Sequence, residues 1–179
     1  MERTNDGRIL VVADTSFLLN FLVIDRMDVL AGLQALAFRV PNHVVLEVEY
    51  ADEKERLHAA LAAGTLSEIE ITDLSEVGLY VHLRAFLGDG ESACLAVAAT
   101  RRWAIATDEK GRLRREIFER LGEDYLLDTP GALIAALRAG VLTVPQAETI
   151  RQELARHRFI MRDLPPFEEL VHEKIKRLA

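Results

Sequence analysis

The run RILVVAD, residues 8–14, is too short for a helix of its own and too uniformly apolar and β-branched for a strand with one wet face. It reads as a strand covered on both sides, which belongs in a parallel sheet with helices on both faces. WAIATD, residues 103–108, repeats the pattern, and both runs end on an aspartate. Weaker strand signals fall near Phe38–Val40, in LSEIEITDL (66–74), whose alternation suits a strand nearer the sheet edge, and in DYLLD (124–128). Helix-like stretches separate them: TSFLLNFLVI after the first run, then NHVVLEVEYADEKERLHAALAAG with a break expected near Tyr50–Ala51. Further along come EVGLYVHLRAFLG with Ser75 as its expected N-cap, GDGESACLAVAATRR, KGRLRREIFERLG and TPGALIAALRAG. The chain closes on two more helices, VPQAETIRQELARHRF and PPFEELVHEKIKRLA, started at prolines. Strands interleaved with helices of this length imply an α/β fold around a parallel sheet.

Half of the 179 residues are hydrophobic, enough for one well-packed core. The expectation is a single domain over residues 1–179, with 145–179 as a C-terminal helical extension. No apolar segment reaches bilayer length and MERTNDGR does not read as a signal peptide, so a membrane role is not expected. The single cysteine, Cys94, gives no disulfide framework, which suits a cytoplasmic protein, and its apolar neighbours make it a small core residue.

A net charge of −7 argues at first against a nucleic-acid partner, but the charge is unevenly spread. Residues 1–74 carry six Lys/Arg against thirteen Asp/Glu, whereas residues 101–120 carry seven against four. A local basic surface of that kind is compatible with phosphate contacts, although on charge alone a solvated helix face with Arg–Glu pairs is the better reading.

In a parallel α/β sheet, ligands bind outside the carboxyl ends of the strands. Asp14 and Asp108 stand at two such ends. Glu47 lies near a helix start among apolar neighbours, and Glu91 in the first turn of the most apolar helix. Each has an ordinary alternative: Asp14 as an N-cap, Glu91 as a complement to the helix dipole, Asp108 as a turn residue, Glu47 as an exposed helix residue. Brought together, four carboxylates would repel and lose solvation unless a cation bound them. Hard ions such as Mg²⁺ and Mn²⁺ choose oxygen ligands, and a pair of them can activate water and stabilise the leaving oxygen of a phosphodiester. Ser16 and Thr15 could hold a carboxylate or a water there, or simply cap the helix.

VVADTSFLLNFL, VPNHVVLEV, LGDGESACLAVA, IATDEKGRLRR and DTPGALIAALRAGVLT, taken in order over residues 8–143, resemble successive motifs of the PIN-domain family. The resemblance implies a three-layer α/β/α sandwich with a central parallel sheet. It also implies a metal-dependent endoribonuclease using Mg²⁺ or Mn²⁺, as in the toxin halves of many prokaryotic toxin–antitoxin pairs. By motif, the catalytic and metal-binding acids are Asp14, Glu47, Glu91 and Asp108. The family's paired aspartates are Asp108–Glu109 here, which leaves open which of the two faces the metal. DTPG stands where a T-G-T turn is more usual. The partners implied are RNA, an antitoxin protein and a second copy of the chain as a homodimer. Ser16, Arg112, Arg114 and Arg115 are the candidate substrate contacts, Arg112 being set off from the other two by helical spacing.

Other readings find less support. The five histidines have no metal-ligand spacing, Trp103 suits a packed strand start better than a base-stacking platform, and GDGES lacks the lysine of a P-loop. A phosphoryl-transfer protein would show paired acids after the first strand and a distal lysine, where ADTS offers one acid. A catalytically silent nucleic-acid- or partner-binding domain on the same scaffold would be expected to lack one of the acids, and none of the four is missing. In the tail, Phe167, Leu170, Val171, Ile175 and Leu178 form an apolar stripe at helical spacing that suits packing on its own domain, another subunit or an inhibitor.

Overall fold

A computed structural model of the chain describes residues 1–162 and 164–170. Among the described residues the strands are β1 (Ile9–Ala13), β2 (Leu36–Pro41), β3 (Leu66–Ile69), β4 (Ala104–Ala106) and β5 (Leu126–Leu127). They form one sheet in the order β3-β2-β1-β4-β5, with every neighbouring pair parallel. The helices are α1 (Thr15–Val23), α2 (Met27–Gly32), α3 (Asn42–Glu47), α4 (Ala51–Ala62), α5 (Leu74–Leu83), α6 (Asp89–Arg101), α7 (Arg112–Arg120), α8 (Thr129–Arg138) and α9 (Val144–Arg156). The sheet is therefore flanked by helices, as the two apolar strand runs require. Val11, Val12 and Ala13 of β1 and all of β4 are buried.

The strand order positions the site. From β1 the chain builds outward through β2 and β3, then returns to the other side of β1 for β4 and β5. The connections leaving β1 and β4 consequently run to opposite sides of the sheet, and the carboxyl ends of these two strands are the point where a parallel α/β sheet places a ligand crevice. Ala13 pairs in register with Ala106, so the residues that follow, Asp14 and Thr107, emerge side by side.

Helix α6 lies against β1, β2 and β4 and packs with α3, α5 and α7. Residues Ser92, Ala93, Cys94, Leu95, Ala96, Val97 and Ala98 of this helix are all buried and mostly small, which lets it come close to the sheet. The break expected near Tyr50 is present: α3 ends at Glu47 and α4 begins at Ala51, with Tyr50 extended between them. Two expectations need correction. Ser75 is not the N-cap of α5; Asp73 is, and its carboxylate accepts the Ser75 N–H at 2.8 Å. The sequence reading also passed over α2, a short helix set off from α1 by Asp25 in the left-handed region (φ 53°), a conformation that aspartate tolerates.

After α9 the chain turns back on its own domain. Phe167 is fully buried, its N–H donates to Glu148 Oε1 at 2.7 Å, and Arg151 donates to the carbonyls of Leu164 and Pro165. The apolar stripe thus begins as an intramolecular contact. Its later members Val171, Ile175 and Leu178 lie outside the described residues, as does most of the last expected helix. No helix among the described residues is long and apolar enough to cross a membrane.

Candidate functional site

Asp14 occupies the N-cap position of α1, yet its side chain makes no capping hydrogen bond. Its Oδ2 instead accepts two hydroxyls, Ser16 Oγ at 2.8 Å and Thr107 Oγ1 at 3.0 Å. Each hydroxyl has one proton to give, so both are committed to Asp14 and each can only accept elsewhere. Ser16 Oγ accepts the Asp108 N–H at 3.1 Å, and Thr107 Oγ1 accepts the Glu109 N–H at 3.1 Å. The ends of β1 and β4 are sewn together through one carboxylate oxygen, and Oδ1 takes neither hydroxyl. Asp14 is only 2% exposed. Burial pushes its carboxyl above the ordinary range, against the pull of the two hydroxyls.

Glu47, at the end of α3, reaches the N-terminus of α6. Its Oε1 accepts the Gly90 N–H at 2.7 Å and its Oε2 accepts the Thr15 hydroxyl. A Cβ on Gly90 would stand 2.5 Å from Glu47 Oε2, so the absence of a side chain there is what admits the carboxylate. Glu91 folds back on its own helix start, its Oε2 accepting the Gly88 N–H at 2.7 Å, which is the reciprocal half of a capping box. Asp108 turns away from these three. Its Oδ1 accepts the Thr129 N–H at 2.9 Å, and its Oδ2 accepts Asn20 Nδ2 at 3.0 Å and the Thr129 hydroxyl. Burial raises its carboxyl too. Glu109 is raised by partial burial and then by the charges of Glu91, Asp14 and Asp108. Cys94, buried beneath with its Sγ on the Ala13 carbonyl, is pushed well up by burial and by Asp14, Glu47 and Glu91.

Five carboxylates therefore border the crevice, and among the described residues no lysine, arginine or histidine forms an ion pair with any of them. The donor set is all oxygen and net negative, the chemistry that suits Mg²⁺ or Mn²⁺, and the buried Asp14 has no counter-charge without a cation. On chemistry the residues fit a divalent ion. As the side chains lie, no three of the described His, Cys, Asp or Glu residues converge on one point.

The arginines differ in setting. Arg112 opens α7 after Gly111 (φ 76°) and lies 4.8 Å over the ring of Phe86, two residues before Gly88, the N-cap of α6. Arg114 stacks on Phe118 of its own helix at 5.3 Å, and Arg115 is exposed. Arg101 is engaged elsewhere, pairing with buried Glu76 and covering Trp103, whose indole donates to Glu2. Thr107, Asn20, Thr129 and Gly90 were not singled out from sequence. Ser16 and Asn20, one helical turn apart on α1, offered the one available signal.

A family model described as a PIN domain matches residues 10–164. No curated protein matches the chain.

Proposed function

We propose, since the chain belongs to the PIN-domain family, that it is a divalent-metal-dependent endoribonuclease. PIN domains are generally nucleases and typically use divalent metals, and the family suggests a nucleic-acid partner. The observation that carries the finer reading is the set of carboxylates at the switch point with no ion-pair partner among the described residues, the buried Asp14 among them. Asp14, Glu47 and Glu91 are proposed acids, joined by one member of the pair Asp108–Glu109 at the end of β4. Mg²⁺ or Mn²⁺ held among them would supply an activated water and charge for the leaving oxygen. Ser16 and Thr107 hold Asp14 in place. Ser16 has no free proton for substrate without giving up that bond. Arg112, Arg114 and Arg115 are proposed to meet the phosphate backbone beside the crevice. The toxin role, with an antitoxin partner and a homodimer, rests on the family resemblance.

The test is incubation of labelled RNAs with purified protein in Mg²⁺, Mn²⁺ or EDTA. Cleavage that needs the metal and leaves 5′-phosphate and 3′-hydroxyl ends supports the reading. Cleavage that survives EDTA, or 2′,3′-cyclic phosphate products, overturns it. A second reading, a catalytically silent nucleic-acid-binding domain, is favoured by the failure of any three acids among the described residues to converge. RNA binding without cleavage in any metal selects it.

A further inference from the structure

Resting on the metal-site reading above, we infer that Glu109, not Asp108, is the carboxylate that the end of β4 supplies to the ion, and that Asp108 is a latch joining β4 to α1 and α8. Three hydrogen bonds already fall on Asp108, from the Thr129 N–H, the Thr129 hydroxyl and Asn20 Nδ2. A carboxylate offers about four acceptor sites, so about one remains. The donors have nowhere else to go. Thr129 is fully buried, and its N–H is one of the unpaired groups at the start of α8, where a negative charge is favoured. Moving Asp108 onto an ion would strand that N–H and hydroxyl in the core and detach α8 from the sheet edge.

Glu109 is placed in the opposite way. Its backbone N–H is fixed on Thr107 Oγ1, whose proton goes to Asp14, so its main chain is anchored one hydroxyl away from the buried carboxylate. Its own carboxylate accepts no hydrogen bond from any described residue and forms no ion pair, and the residue is exposed. A fixed Cα with a free, long side chain can swing toward Asp14 and Glu91. Convergence of the acids then requires a change of side-chain conformation at Glu109 and none at Asp108.

The experiment compares the full-length wild type, Glu109→Gln and Asp108→Asn by Mn²⁺ titration calorimetry and by melting in EDTA. Glu109→Gln is expected to melt in EDTA no lower than wild type and to bind Mn²⁺ at least about tenfold more weakly, since affinity follows the ligand charge. Asp108→Asn is expected to melt lower in EDTA while keeping wild-type Mn²⁺ affinity at temperatures where it is folded. Should it not fold, Asn20→Ala, which removes one donor of the latch, is expected to show the same lowered melting with unchanged affinity. Wild-type affinity in Glu109→Gln, or affinity lost in Asn20→Ala or in a folded Asp108→Asn, overturns the assignment. If wild type itself binds no Mn²⁺, the metal reading fails and takes this inference with it.

Discussion

Thr107 Oγ1 gives its proton to Asp14 Oδ2 at 3.0 Å across the junction of β4 and β1, while accepting the Glu109 N–H. One hydroxyl thus sets the orientation of the buried acid and the path of the chain beyond β4. Thr107→Val keeps the shape and removes both bonds, leaving an amide and a carboxylate oxygen short of a partner. The expected loss is about 1.5–3 kcal/mol, the usual scale for a hydrogen bond to a charged group. Urea unfolding in EDTA measures it, and an unchanged midpoint would show that Ser16 alone suffices to hold Asp14.

Gly90→Ala separates the site from the fold. Alanine favours a helix over glycine by about 0.5–1 kcal/mol, so α6 itself gains. The new methyl would press on Glu47 Oε2 and Cδ, at 2.5 and 2.9 Å, and the free end of Glu47 is what can yield. The variant is expected to melt at or above the wild-type temperature in EDTA. A displacement of this size in a reacting group costs about a hundredfold in rate, so metal-dependent RNA cleavage is expected to fall by that order. Full activity would place Glu47 outside the chemistry.

The α7 arginines are tested by salt. Each phosphate neutralised on a single strand contributes about 0.7 to the slope of log K against log salt. Replacing Arg112, Arg114 and Arg115 by alanine is expected to weaken RNA binding in EDTA and to lower that slope by up to about 2. The stacks on Phe86 and Phe118 bear on how the arginines are held rather than on charge, so Phe86→Leu is expected to weaken binding with the slope intact. An unaltered slope in the triple variant returns these residues to a solvated face.

Much of the fold was legible because apolar runs carry it. RILVVAD and WAIATD could only be covered strands, and they are the adjacent β1 and β4. Boundaries failed where a polar side chain decides them. Asp73 rather than Ser75 caps α5, because either residue type caps well and only geometry chooses. The acids at the strand ends were legible as candidates, but their division of labour was not. Asp108 is drawn aside by Thr129, which is 21 residues on, and by Asn20, which is 88 residues back, pairings no local pattern reveals. DTPG, odd as a family turn, makes local sense: Asp128 caps α8 by accepting the Gly131 N–H, and Thr129 donates to Asp108.

The tail gives a prediction about stability alone. Phe167 fills a fully buried position and its backbone is fixed by Glu148. Phe167→Ala is expected to cost about 3–5 kcal/mol, the range for emptying a buried aromatic site, without changing the mass seen by light scattering. A change of mass with little loss of stability would instead make the tail an assembly element.

The sharpest test of the site concerns Asp14, because capping and metal binding predict opposite behaviour. Burial raises its folded-state pKa above the ordinary 3.8. The group therefore favours the folded state most below its unfolded pKa, and that contribution is lost as pH rises through the raised folded value. Asp14→Asn cannot titrate, so in metal-free buffer the variant is expected to gain on wild type as pH climbs from about 4 to 7, and to melt higher at neutrality. Asp108 and Glu109 shift in the same direction but are common to both proteins, and the comparison removes most of their effect. Manganese then reverses the order. An ion bound only by the folded state adds about 2.7 kcal/mol at a hundredfold excess over Kd, and wild type is expected to show that gain while the variant loses most of it. Melting curves of the two proteins across pH, with and without Mn²⁺, measure both effects. Equal metal-induced shifts, or a gap in melting temperature that does not widen with pH, would return Asp14 to a structural role at the start of α1.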